Sequence, residues 1–256
     1  MLEVVVIPVL ADNYIYVVHD SDSQLTAAVD PALARPVTEL LAARGWALDF
    51  VLNTHHHADH VGANLELRQT TGCRIVGAAH DAARIPGLDW GLGEGESLHF
   101  GFYDFQVLAT PGHTLGHVVY YCAEAGLLFA GDTLFSLGCG RLFEGDAATM
   151  LGSLQKLKAL SAETQLYCAH EYTLNNARFA LSVDGGNEAL REHAAWAAER
   201  RSQGMSTLPS TLRRELAANP FLRTDDPGLR QALGFGETAD EAAVFAQLRR
   251  MKDEFH

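Results

Sequence analysis

The chain has 256 residues, 48% of them hydrophobic, and a formal net charge of −13. That length suits one large domain or two modest ones, with apolar side chains enough for a full core. The acidity argues against a nucleic-acid backbone as partner, because such binders present a positive stripe. No apolar run reaches the ~18 residues of a membrane span.

The first residues, Met1-Leu2-Glu3-Val4-Val5-Val6-Ile7-Pro8, lack a basic n-region and read as a strand, not a signal peptide. Strand-like runs follow at Val4–Val9, Tyr14–Val18, Thr26–Val29, Phe50–Asn53, Arg74–Val76, Phe105–Ala109, Val118–Cys122, Leu127–Ala130 and Leu166–Ala169. Helical patterns interleave at Pro36–Ala43, Ala63–Gln69 and Ala147–Ala159, which predicts an α/β protein with helices covering sheet faces. After His170 the strand-like runs stop. Asn187–Arg201 and Ser210–Ala218 read as helices, the second closed by Asn219-Pro220. Thr238 and Glu241 fit a capping box, and Val244, Phe245, Leu248 and Met251 give the helix that follows a buried face. A boundary near 171 is therefore expected, with an α/β domain over 1–171 and a helical domain over 172–256.

Four cysteines (Cys73, Cys122, Cys139, Cys168) are widely spaced with no CxxC pair. With no export signal, reduced thiols and a cytoplasmic location are expected. No long apolar seam is evident, and a monomer is expected.

Each chemistry-bearing cluster sits where a strand-like run ends, the place where loops converge on a rigid sheet edge. Thr54-His55-His56-His57-Ala58-Asp59-His60 follows Phe50–Asn53, and His113 follows Phe105–Ala109. Asp132 follows Leu127–Ala130, and His170 follows Leu166–Ala169. Imidazoles and carboxylates are the donors that zinc, iron and manganese accept. In an extended segment i and i+2 point the same way, so His55 and His57 can grip one ion while His56 points elsewhere. Asp59 and His60, displaced toward the next helix, suit a second ion. His113 can complete the first site, His170 the second, and Asp132 can bridge them. Seven ligands for two ions about 3.5–4 Å apart is the arrangement of two-metal hydrolysis, in which a bridging water loses its proton near neutral pH. No GxSxG elbow offers a serine instead. The scattered His19, His80, His99, His193 and His256 read as ordinary core or surface residues, and His117 as a packing or supporting residue.

At these residues the chain resembles the metallo-β-lactamase superfamily, with its HxHxDH signature and distant His, Asp and His ligands. It is most similar to the hydroxyacylglutathione hydrolase (glyoxalase II) branch, over nearly the whole chain. Asn53–Asn64, Thr110-Pro111-Gly112-His113-Thr114, Phe129–Phe135, Gly138–Gly145, His170-Glu171-Tyr172-Thr173, Asn219–Arg223 and Arg249–Asp253 carry that likeness. The resemblance implies an αββα sandwich with a C-terminal helical domain. It implies two divalent ions per chain, zinc first among zinc, iron and manganese. One ion would be held by His55, His57, His113 and Asp132, the other by Asp59, His60, His170 and Asp132, with Asp59 and Asp132 the catalytic carboxylates. It implies hydrolysis of S-D-lactoylglutathione to glutathione and D-lactate, the second step of methylglyoxal detoxification. Glutathione contacts would come from Arg141, Phe143, Tyr172, Arg249 and Lys252. Phe143 departs from the Tyr of other members and cannot donate a hydrogen bond. Arg249 and Lys252, three apart on one helix face, independently offer two cations to a dicarboxylate ligand. The competing reading is a glutathione persulfide dioxygenase with one iron. Those proteins keep only the first metal site and lack the long helical tail.

Overall fold

Strand β1 (Leu2–Val9) pairs antiparallel with β2 (Asn13–Asp20), and β2 with β3 (Thr26–Val29). From β3 the direction changes. Strands β4 (Phe50–Leu52), β5 (Arg74–Ala78) and β6 (Trp90–Leu92) add in parallel, giving a six-stranded mixed sheet in sequence order. The computed structural model describes residues 1–255, so the expectation for His256 lies outside the described residues. These divide into two compact units: Met1–Ala109 with Gly116–Gly131, and Thr110–Leu115 with the chain from Asp132 on.

In the first unit, helices α1 (Ala34–Arg44), α2 (Ala58–Val61) and α3 (Asn64–Thr71) occupy the parallel crossovers, as parallel pairing requires. Val37 and Leu41 of α1 and Leu67 of α3 bury against Ile15, Val17, Val51 and Ile75 on one face of the sheet. A second, antiparallel set comprises β7 (Ser97–Phe100), β8 (Tyr103–Ala109), β9 (Val118–Cys122) and β10 (Leu127–Gly131). It packs on the other face. The rings of Tyr16 and Phe129 lie 5.7 Å apart, and the Tyr120 hydroxyl donates to the Asn53 carbonyl at 2.9 Å. All eight residues of β2 are buried because both faces of its sheet are covered.

The second unit holds two short antiparallel strand pairs and the helices. Strands β11 (Leu134–Phe135) and β12 (Gly138–Cys139) form one hairpin, and β13 (Gln165–Cys168) pairs with β14 (Ser210–Thr211). The helices are α4 (Ala147–Lys158), α5 (Thr173–Asp184), α6 (Glu188–Ser202), α7 (Leu212–Ala218), α8 (Pro227–Ala232) and α9 (Glu241–Glu254). This unit reaches back before residue 172 because the upstream loops are tied to its helices. Ser153 Oγ donates to the Pro111 carbonyl at 2.6 Å, and Asn219 Nδ2 donates to the carbonyls of Phe135 and Gly138 at 3.1 and 3.0 Å.

The expected capping box is not formed. Asp240, not Thr238, caps α9, accepting from the Ala242 amide. Thr238 lies in the preceding turn, and the Glu241 carboxylate instead accepts from Thr224 Oγ1 at 2.7 Å. On α9, Val244, Phe245 and Leu248 are fully buried and Met251 is half-buried.

Candidate functional site

In the first unit the loop from β4 into α2 carries His55, His57, Asp59 and His60, at the C-terminal ends of the parallel strands. His55 Nε2 lies 2.9 Å from His57 Nδ1, and the rings of His55 and His60 are 4.0 Å apart. His60 sits between two carboxylates, with Nδ1 3.1 Å from Asp30 Oδ2 and Nε2 3.5 Å from Asp59 Oδ2. Asn13 Nδ2 donates to Asp59 Oδ2 at 3.0 Å. His56 points elsewhere, its Nδ1 3.0 Å from Asp81 Oδ2, with Arg84 closing on the same pair. His117 is fully buried and stacks on His55 at 4.9 Å, which is a supporting position.

Asp30 was not singled out from the sequence. It accepts from the Thr54 amide at 2.8 Å and from Thr54 Oγ1 at 2.7 Å, and so fixes the first residue of the His-rich loop. Its signal was present: a carboxylate directly after the strand-like run Thr26–Val29, the same position that marked the other candidates. Gly131 closes this side. At φ +49°, a Cβ there would lie 2.4 Å from Thr54 Oγ1, so only glycine fits.

In the second unit Asp132 stands between two imidazoles. Oδ2 lies 3.4 Å from His113 Nε2, and Oδ1 lies 3.4 Å from His170 Nε2. All three side chains are buried. His113 Nδ1 is 2.9 Å from the Arg141 carbonyl, which can only accept, so the proton sits on Nδ1. A neutral ring then turns the lone pair of Nε2 toward an anionic oxygen. Two acceptors held face to face repel unless a cation lies between them, and a ligating histidine commonly donates its other N–H to a carbonyl in this way. The donor set therefore fits a divalent metal. All seven residues belong to His/Asp groups of the kind that hold one.

The neighbouring loop is held tightly. A Cβ on Gly140 would lie 1.9 Å from the Asp132 carbonyl oxygen. Arg141 and Phe143 are exposed, and the Phe143 ring is 5.1 Å from that of His113. Tyr172 stacks on His170, with centroids 4.7 Å apart and planes within 2°. Arg249 is buried rather than free on its helix face. Its Nη1 donates to the Cys139 carbonyl at 2.9 Å and its Nη2 to Asp253 Oδ1 at 2.8 Å. Lys252 is half-buried over the rings of Phe179 and Phe255. Burial, then repulsion from Arg249, Arg141 and Arg178, pushes its ammonium down to about 8. The four cysteines are free and buried. Burial drives the Cys122 and Cys139 thiols up to about 11 and Cys168 further, so none is a ready thiolate.

Paired sheets with His and Asp at strand ends define the class. Residues 13–170 match the family model described as the metallo-β-lactamase superfamily, and residues 171–255 match that for the hydroxyacylglutathione hydrolase C-terminus. The fold class is thus the α/β, αββα-type sandwich of that superfamily with a helical C-terminal region. The chain belongs to the hydroxyacylglutathione hydrolase family. It is 55% identical to the hydroxyacylglutathione hydrolase of Methylococcus capsulatus over 255 residues, covering 100% of this chain and 99% of that one. It is 49% identical to that of Brucella anthropi over 245 residues, 96% of this chain and 94% of the relative. Among solved structures it is similar to ETHE1 from Myxococcus xanthus. The TM-score is 0.61 and the identity 30%, over 67% of this chain and 76% of that one. Among the described residues no helix is long and apolar enough to cross a membrane.

Proposed function

We propose that the chain is a thioester hydrolase that converts S-D-lactoylglutathione and water to glutathione and D-lactate, the second step of methylglyoxal detoxification. One divalent ion would be held by His55, His57, His113 and Asp132, and the other by Asp59, His60, His170 and Asp132. Zinc is the first expectation, with iron and manganese accepted by the same donors. The observation that carries the reading is Asp132, each of whose oxygens faces a different imidazole nitrogen at 3.4 Å.

When bound, such a pair of ions supplies a hydroxide at neutral pH and a Lewis acid for the thioester carbonyl. The chain's own residues do the rest. The Asn13 amide donates to Asp59 Oδ2 and orients the carboxylate, which can take up the proton of the attacking water. Arg141 and Lys252 offer cations to the carboxylates of glutathione, Tyr172 offers a hydroxyl, and Phe143 offers a ring. Arg249 supports the loop that carries Arg141. The glutathione thiolate leaves without an acid, since a thiol of pKa near 8.5 is a good leaving group.

The matches to 13–170 and 171–255 support a catalytic domain over 1–171 and a helical domain over 172–256. Four free cysteines fit a cytoplasmic location, and a monomer is proposed. The C-terminal match supports this reading over a one-iron persulfide dioxygenase. Purified protein given S-D-lactoylglutathione and a thiol-detecting dye is expected to release one thiol per thioester consumed. No thiol release, together with oxygen uptake on glutathione persulfide, would establish the dioxygenase instead.

A further inference from the structure

Lys252 stands at the centre of an unbalanced group of charges. Its ammonium lies 5.8 Å from the Phe179 ring centroid and 5.7 Å from that of Phe255. Those two rings meet in a T-shaped contact at 5.5 Å, and Phe179 is buried, so α9 and α5 are locked together here. The residue before Phe179 on α5 is Arg178, which is exposed. Three guanidinium groups, those of Arg249, Arg141 and Arg178, repel the Lys252 ammonium. Asp253 opposes them, but its carboxylate is already held by Arg249 Nη2 at 2.8 Å.

Arg141, Arg178 and Lys252 pair with no carboxylate among the described residues. Acids are not scarce, since the net charge is −13, and other arginines of the same unit are matched. Arg213 has Glu163, and Arg223 has Asp184 and Asp226. Arg178 Nη2 donates to Asn175 Oδ1 at 2.9 Å, one turn back on α5. That bond orients the guanidinium and leaves its other N–H donors for an anion. Like charges gathered without counter-charges cost free energy, which a bound anion offsets.

We propose that Arg178 is a further substrate-binding residue. With Lys252 and Arg141 it forms a cationic surface for the carboxylates of glutathione, and it favours thioesters whose thiol carries carboxylates. This rests on the reading of the chain as a glutathione thioester hydrolase. The carboxylates are remote from the reacting carbonyl, so Arg178 acts on KM rather than kcat. Its exposure puts it among charges that govern encounter and salt dependence.

The test compares the unsubstituted protein with Arg178→Gln, Arg178→Lys and Arg250→Gln on two substrates. One is S-D-lactoylglutathione, the other the D-lactoyl thioester of N-acetylcysteamine, which has no carboxylate. Arg250 is exposed on α9 and bonded to Gln247, so its substitution makes the same charge change outside the cluster. Arg178→Gln is expected to raise KM for lactoylglutathione about three- to tenfold with kcat unchanged. It should leave kcat/KM for the neutral thioester unchanged and flatten the fall of kcat/KM with ionic strength. It also relieves repulsion on Lys252, so the rise of KM near pH 8 moves to higher pH, whereas Arg178→Lys keeps it in place. Arg250→Gln should match the unsubstituted protein. An unmoved KM in Arg178→Gln, an equal loss on both thioesters, or an equal loss in Arg250→Gln overturns the role of Arg178 while thioester hydrolysis stands. If the neutral thioester turns over too slowly to measure, the salt dependence decides. No hydrolysis of either thioester by the unsubstituted protein overturns the underlying reading and this role together.

Discussion

Arg249 Nη1 donates to the carbonyl of Cys139 at 2.9 Å, across 110 positions of sequence. The same nitrogen lies 3.5 Å from the Gly140 carbonyl, and Nη2 is held by Asp253. A guanidinium so placed sets the position of the Gly138–Arg141 segment. Arg249→Met is expected to lower stability by about 1.5–3 kcal/mol, the range for hydrogen bonds to a charged group, and to raise KM. Chemical denaturation and steady-state kinetics check both. An unchanged midpoint would assign Arg249 to substrate alone.

Lys252 governs an expected pH dependence. Its folded-state pKa is lowered from 10.5 to about 8, chiefly by burial. Binding of an anionic substrate should therefore weaken as pH rises through about 8 and the ammonium is lost. The stability consequence has the same window and opposite sense. The unfolded chain holds this proton up to its ordinary pKa, so the penalty is complete below about 8 and disappears as pH rises to 10.5. A KM–pH profile should show the rise above pH 8, and Lys252→Arg, which keeps its charge, should flatten it.

Gly140 tests the packing beside Asp132. Its Cβ would meet the Asp132 carbonyl at 1.9 Å, backbone that cannot swing aside. Gly140→Ala is expected to cost about 1–3 kcal/mol in stability, as overpacking does, and at least tenfold in kcat. Thermal denaturation with full turnover retained would show that the Asp132 carboxylate tolerates the shift.

Phe143→Tyr adds a hydroxyl to the ring. The ring is 63% exposed and sits beside His113, so a hydroxyl is accommodated without repacking. One added hydrogen bond of about 0.5–1.5 kcal/mol predicts a KM lower by roughly 2- to 12-fold with kcat unchanged. A KM that does not move would remove Phe143 from the substrate contacts.

The strands legible in the sequence were those with an unbroken apolar run. Thr26–Val29 and Val118–Cys122 match residue for residue. Trp90–Leu92 and the two-residue β11, β12 and β14 escaped notice because they are too short for a period to register. Helix α5 was missed because its apolar residues, Phe179, Ala180 and Val183, are interrupted by Asn175, Asn176 and Arg178. Asn176 is buried to donate to the Ser136 carbonyl, a demand that no periodicity reveals. At the site, donor type and strand-end position were legible. The brace made by Arg249 was not, because a helix wheel shows only that Arg249 and Lys252 are neighbours, not which one turns inward.

The bridging role of Asp132 is the central claim, and metal content measures it most directly. Elemental analysis of the purified protein should find close to two divalent ions per chain, and Asp132→Ala, folded by circular dichroism, should retain close to none. Two ions retained in Asp132→Ala, or one ion in the unsubstituted protein, would contradict the account.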